Sequence, residues 1–151
     1  MRSKYKVRLL TFIMTENCNF RCKYCFVKFD AQSMPWEVVK KAVEWAKKND
    51  IKTVSLFGGE PLLEWKKCKY IIENLAPRGV QFSITTNGSI LNEEIISYIK
   101  KYNIGILLSY DGLYQDIYRG TPLHRAETAK KVRENMQWLR REGIKFTIAH
   151  Q

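Results

Sequence analysis

Three of the four cysteines, Cys18, Cys22 and Cys25, fall within one eight-residue stretch. Thiols that close, with no secretion signal ahead of them, read as reduced metal ligands of a cytoplasmic protein. A disulfide framework would spread its cysteines along the chain. Three thiolates on a compact loop can hold three irons of a [4Fe–4S] cluster and leave the fourth iron open to a small molecule. An open coordination position separates a reactive metal site from a structural one, by the logic of catalytic zinc. The competing reading is structural zinc, with Cys68 as the fourth ligand. Zinc sites normally use two close pairs, however, and Cys68 falls in an apolar helical stripe, where a lone cysteine behaves as a small hydrophobe.

The remaining chemistry-bearing residues follow runs that read as strands. Gly58-Gly59-Glu60-Pro61 follows the run Thr53–Phe57. Thr85-Thr86-Asn87-Gly88 follows Gln81–Thr85, and Ser109 and Asp111-Gly112 close Ile104–Tyr110. Val7–Met14 leads into the cysteines, and Lys145–Ala149 is a fifth strand pattern. Between the strands lie four helical stripes: Val38, Val39, Ala42, Val43 and Ala46; Cys68, Ile71, Ile72 and Leu75; Ile95, Tyr98, Ile99 and Tyr102; Ala129, Val132, Met136 and Leu139. Asn49, Gly79, Asn103 and Gly143 follow them, each suited to a left-handed cap. Strands alternating with helices predict an α/β fold with a parallel sheet, as a barrel with outer helices or an open doubly wound sheet. In either, chemistry collects at the carboxyl ends of the strands, where these residues fall.

The cysteine loop, Cys18-x3-Cys22-x2-Cys25 with Tyr24 before the last cysteine, resembles the signature of the radical S-adenosylmethionine (radical SAM) superfamily. Gly58-Gly59-Glu60 resembles its second motif. Ser109-x-Asp111-Gly112 with Arg119 is similar to the fourth-strand motif of its SPASM-type, peptide- and protein-modifying branch, which includes the sulfatase-maturating enzymes. The resemblance implies a partial (β/α)6 barrel, with about four βα units and a fifth strand. It also implies a [4Fe–4S] cluster on Cys18, Cys22 and Cys25, with SAM chelating the open iron. Reductive cleavage would give methionine and a 5′-deoxyadenosyl radical that abstracts hydrogen from substrate, the cofactor supplying the hard chemistry. Tyr24 and Phe26 would flank the adenine. Gly58 and Gly59 would bring backbone close to SAM, with Glu60 adding negative charge. Asn87 would touch SAM or organise the rim, and Ser109 would bond ribose or methionine. Arg119 would pair with the methionine carboxylate through its planar fork. Asp111 reads as shaping its turn, and neither His124 nor His150 is given a role.

The chain has 151 residues, 45% hydrophobic and 27% charged, with a net charge of +11. That length suits one domain, expected here to be a radical SAM core over residues 1–151 that is incomplete at its C-terminus. No run approaches a membrane span, and the stretch after the basic N-terminus is broken by Arg8 and lacks a cleavage pattern. The basic residues are scattered over helix surfaces, which argues against nucleic acid and membrane as partners. The implied partners are a peptide or protein substrate, a reductant such as flavodoxin or ferredoxin, and a missing C-terminal domain or companion chain. A split or truncated cluster- and SAM-binding module without catalysis of its own is the second reading. A structural zinc or nucleic-acid-binding domain is the third.

Overall fold

The structure is a computed structural model that describes residues 6–27, 32–121 and 128–150. Among the described residues, seven strands and five α-helices follow in order: β1 (Leu9–Ile13), β2 (Arg21–Cys22), α1 (Trp36–Lys48), β3 (Thr53–Phe57), α2 (Trp65–Leu75), β4 (Gln81–Thr86), α3 (Glu93–Tyr102), β5 (Gly105–Ser109), α4 (Gln115–Tyr118), β6 (Arg119–Gly120), α5 (Thr128–Arg141) and β7 (Phe146–Ala149). His124 lies outside the described residues.

The five longer strands form one parallel sheet in the order β1-β3-β4-β5-β7, with Leu9 opposite Thr53, Val54 opposite Phe82, and Leu108 opposite Ile148. That order chooses between the two α/β architectures left open by periodicity. A doubly wound sheet reverses its strand order to place helices on both faces. Here every crossover advances in one direction, so right-handed connections carry the helices to one side, as in a barrel. The burial pattern agrees. Phe12, Val54, Leu56, Phe82, Ile84, Ile106 and Leu108 are buried on one face of the sheet. They share a core with Val39, Val43, Ile71, Ile72, Leu75, Ile95, Ile99, Val132 and Leu139 of the helices. Thr53, Ser55, Ser83, Thr85 and Ser109 alternate with the buried residues on the other face, as the pleat requires.

The helices begin and end on recognisable signals. Pro35 leads α1, and the Asn92 side chain caps α3 by accepting from the Ile95 N–H at 2.8 Å. Gly79, Asn103 and Gly143 have the expected left-handed backbone, with φ of 74°, 49° and 70°. Asn49 does not: its φ is −116°, an extended conformation. Its side-chain amide instead donates to the Trp45 carbonyl at 2.7 Å, which satisfies the helix end without a left-handed turn. All strand crossovers deliver their carboxyl ends to one rim, where β1 runs into the cysteine loop.

Candidate active site

The cysteine loop is built against the ends of the neighbouring strands. Between β1 and the first cysteine, the chain is clasped by the turn after β3. Gly59 N–H donates to the Thr15 carbonyl at 2.7 Å and Glu60 N–H to that of Asn17 at 2.9 Å. The two backbones lie so close that a Cβ on Gly58 would sit 2.5 Å from the Thr15 carbonyl oxygen, and one on Gly59 would sit 2.2 Å from that of Asn17. Gly58 also has a φ of 143°. The glycines are thus required first by the cysteine loop's approach to β3.

At its far end the loop is held by a two-stranded antiparallel pair, with Arg21 opposite Gly120 and Cys22 opposite Arg119. Asp111, at the end of β5, grips Arg119 on two atoms: Nε donates to Oδ2 at 2.8 Å and Nη2 to Oδ1 at 3.1 Å. The Tyr24 hydroxyl donates to the same carboxylate. Asp111 therefore does more than shape its turn. The fork of Arg119, expected to meet a ligand carboxylate, is engaged by one from the chain itself. In the middle of the loop, Asn19 donates to Ser89 Oγ at 2.8 Å and accepts from Asn87 Nδ2 at 2.8 Å.

One cavity of about 240 Å³ opens at this rim. Cys18, Cys22, Cys25, Tyr24, Phe26, Gly58, Gly59, Asn87, Ser109 and Arg119 all line it, together with Phe20, Phe57, Thr85 and Thr86. Phe26 is 80% exposed, so it stands at the mouth. Glu60 is placed differently. It is fully buried and does not line the cavity; its carboxylate accepts from Thr86 Oγ1 at 2.8 Å and from the N–H groups of Asn87 at 2.7 Å and Leu62 at 3.1 Å. Burial raises its pKa to about 7, against the pull of those three donors. The side chain expected to lend charge to the site instead pins the β4 rim to the β3 rim. Sequence reasoning missed Asn19 and Ser89, whose polarity between glycine and cysteine signals was the available cue.

The three cysteines line the cavity together. Among the described residues, no three His, Cys, Asp or Glu side chains surround a point where one metal ion could sit. A [4Fe–4S] cluster takes each cysteine on a different iron, so its ligands need not converge on one point. Hydrogen-bond donors are already aimed at two sulfurs. Cys18 Sγ accepts from the Phe20 N–H at 3.3 Å and Asn87 Nδ2 at 3.7 Å, and Cys22 Sγ from Arg119 Nη1 at 3.9 Å. Burial raises Cys18 to about 11 and also raises Cys22, where Arg119 opposes it. Loading a metal must therefore release protons. Cys68 is buried in the core, its thiol donating to the Pro61 carbonyl at 3.3 Å.

The sequence model of the radical SAM superfamily matches residues 12–150. The chain belongs to this family. It is 26% identical over 129 residues to the radical SAM cyclopropyl synthase TigE of Paramaledivibacter caminithermalis, covering 70% of this chain and 27% of that protein. It is 27% identical over 126 residues to the S-adenosylmethionine-dependent nucleotide dehydratase of Psychrobacter lutiphocae, covering 72% of this chain and 42% of that one. Among solved structures, native anSMEcpe with bound AdoMet and a peptide superposes with a TM-score of 0.81 at 22% identity, over 95% of this chain and 42% of that chain. The radical SAM chain described here thus spans less than half the length of these relatives. No helix among its described residues is long and apolar enough to cross a membrane.

Two outcomes follow from the packing of this rim. Gly59→Ala should lower stability by about 1–3 kcal/mol, because backbone rather than a movable side chain meets the new Cβ; a melt indistinguishable from wild type would show that the clasp gives way. Glu60 has its folded pKa raised above the ordinary 4.5. Its contribution is therefore fully present below about pH 4.5 and lost as pH rises through about 7, on the order of 3 kcal/mol. Denaturant unfolding across that window should show Glu60→Gln gaining on wild type as pH rises, and parallel curves would contradict this.

Proposed function

We propose that this chain binds a [4Fe–4S] cluster through Cys18, Cys22 and Cys25 and SAM in the adjoining cavity, and cleaves SAM reductively to begin hydrogen abstraction from a substrate. The observation that supports this reading most strongly is the convergence on one cavity of three thiols and the carboxyl ends of four consecutive parallel strands. Held by Cys18, Cys22 and Cys25 and charged by an external one-electron reductant such as flavodoxin or ferredoxin, a cluster would supply reductive cleavage of SAM, with methionine as the leaving group, to start hydrogen abstraction.

The chain's own residues hold, orient and shield. Cys18, Cys22 and Cys25 would be the metal ligands. Gly58 and Gly59 present backbone to the cavity beside the thiols. Ser109 brings a hydroxyl from β5, and Asn87 brings an amide that already reaches Cys18. Tyr24 and Phe26 supply aromatic surface on the open side, suited to a flat adenine. With Asp111 occupying its fork, Arg119 would reach a ligand carboxylate only through the Nη1 edge. We place this chain as the core that generates the radical. A peptide or protein is the favoured substrate class, in line with the peptide held by anSMEcpe. The nucleotide dehydratase relative supports a small-molecule substrate as the second reading.

Anaerobic reconstitution with iron and sulfide should give a brown protein with close to four irons. SAM and dithionite should then yield 5′-deoxyadenosine. Cys18→Ala, Cys22→Ala and Cys25→Ala should each lose most of the iron and at least about 100-fold of the product, while Cys68→Ala retains both. Iron-loaded protein that binds SAM without cleaving it would favour a binding module. Colourless protein, or equal loss in Cys68→Ala, would contradict the assignment.

A further inference from the structure

Asp111 and Arg119 form an ion pair with side-chain exposures of 2% and 8%. A planar guanidinium gripped on two nitrogens has no freedom to rotate about its fork. The grip on Nε and Nη2 therefore decides where the third nitrogen points, and Nη1 lies 3.9 Å from Cys22 Sγ. Two further contacts fix the pair. The Tyr24 hydroxyl donates to the carboxylate, and the Tyr24 ring lies 5.1 Å from the guanidinium carbon. The Asp111 N–H donates to Oε1 of the fully buried Gln115 at 2.9 Å, so the turn that follows β5 is pinned to the start of α4. Cys22, by contrast, belongs to the cysteine loop. The ion pair is thus the mechanical and electrostatic link between one proposed cluster ligand and the sheet.

We propose that Asp111 is a positioning residue for the cluster: it locks Arg119 so that Nη1 donates to Cys22 Sγ, and it balances the arginine's charge beside that sulfur. This rests on the functional reading above. Reduction adds a negative charge to a cluster, and hydrogen bonds and charge around its sulfurs set the reduction potential. A free cation at this position would favour the reduced state; a free carboxylate would disfavour it. Asp111→Asn keeps a side-chain oxygen that can still accept from Arg119 and removes a negative charge from beside the sulfur, so the potential rises. Replacing Arg119 removes both a donor to sulfur and a positive charge beside it, which lowers it. Tyr24→Phe keeps both charges and changes little.

Redox titration of the reconstituted chain, followed by electron paramagnetic resonance (EPR), separates these cases. The set is wild type, Asp111→Asn, Asp111→Glu, Arg119→Gln and Tyr24→Phe, each with iron content measured. The midpoint should rise in Asp111→Asn, return toward wild type in Asp111→Glu, fall in Arg119→Gln and stay near wild type in Tyr24→Phe. A merely structural role would cost iron or stability without shifts of opposite sign. Should Asp111→Asn fail to fold, Arg119→Gln decides alone: a lowered midpoint supports the proposal and an unchanged or raised one overturns it. In a wild type that loads iron and cleaves SAM, equal midpoints across the iron-replete variants overturn this inference alone. So does a Tyr24→Phe shift as large as that of Asp111→Asn. A wild type that takes up no iron overturns the functional reading, and this inference with it.

Discussion

A short loop that carries three thiols has no core of its own to fold around, and everything at this rim follows from that constraint. The loop between Cys18 and Cys25 is held by its neighbours instead. Backbone of the β3 turn clasps Thr15 and Asn17 so closely that only glycine fits at positions 58 and 59. Asn87 and Ser89 at the end of β4 hold Asn19. Asp111 at the end of β5 holds Tyr24 and Arg119, and Arg119 is paired with Cys22. Each strand crossed in sequence thus adds one restraint to the same loop. Buried polar groups are costly unless partnered, and here the partners come from different strands, so satisfying them also aligns the rim.

Glu60 shows how far this coupling extends. A buried carboxylate would be a liability in isolation, yet its three donors come from the β3 turn and the end of β4. It holds Asn87, whose side chain reaches both Asn19 and Cys18. The geometry of the thiols therefore depends on a residue that does not touch the cavity. The two faces of the sheet divide the work: the helix-covered face supplies the apolar core, and the opposite face leaves small and polar residues beside the cavity.

Much of this was legible in the residues. The alternation of apolar residues located β3, β4 and β7 to within a residue, because strands buried on one face must alternate. The cysteines, Gly58, Gly59 and Ser109 all lie at one rim, as their places after the strands imply, because parallel crossovers deliver strand ends to one side. What escaped was orientation. Asn49 looks like a left-handed cap, but its own amide can satisfy the helix end, and nothing local decides between the two. The direction of Glu60 depends on the end of a strand more than twenty residues further on. The fork of Arg119 is equally ready for a ligand carboxylate and for Asp111; only its folded bonds from Nε and Nη2 show that the aspartate holds it.

The central claim is that the three thiols and the cavity form one site, with an open iron facing the place where SAM binds. The EPR spectrum of the reduced, reconstituted chain tests this most directly, recorded with and without SAM. SAM should shift the g-values of the cluster signal, because it would ligate the open iron. A cluster signal that SAM leaves unchanged, at concentrations where SAM is shown to bind, would contradict it.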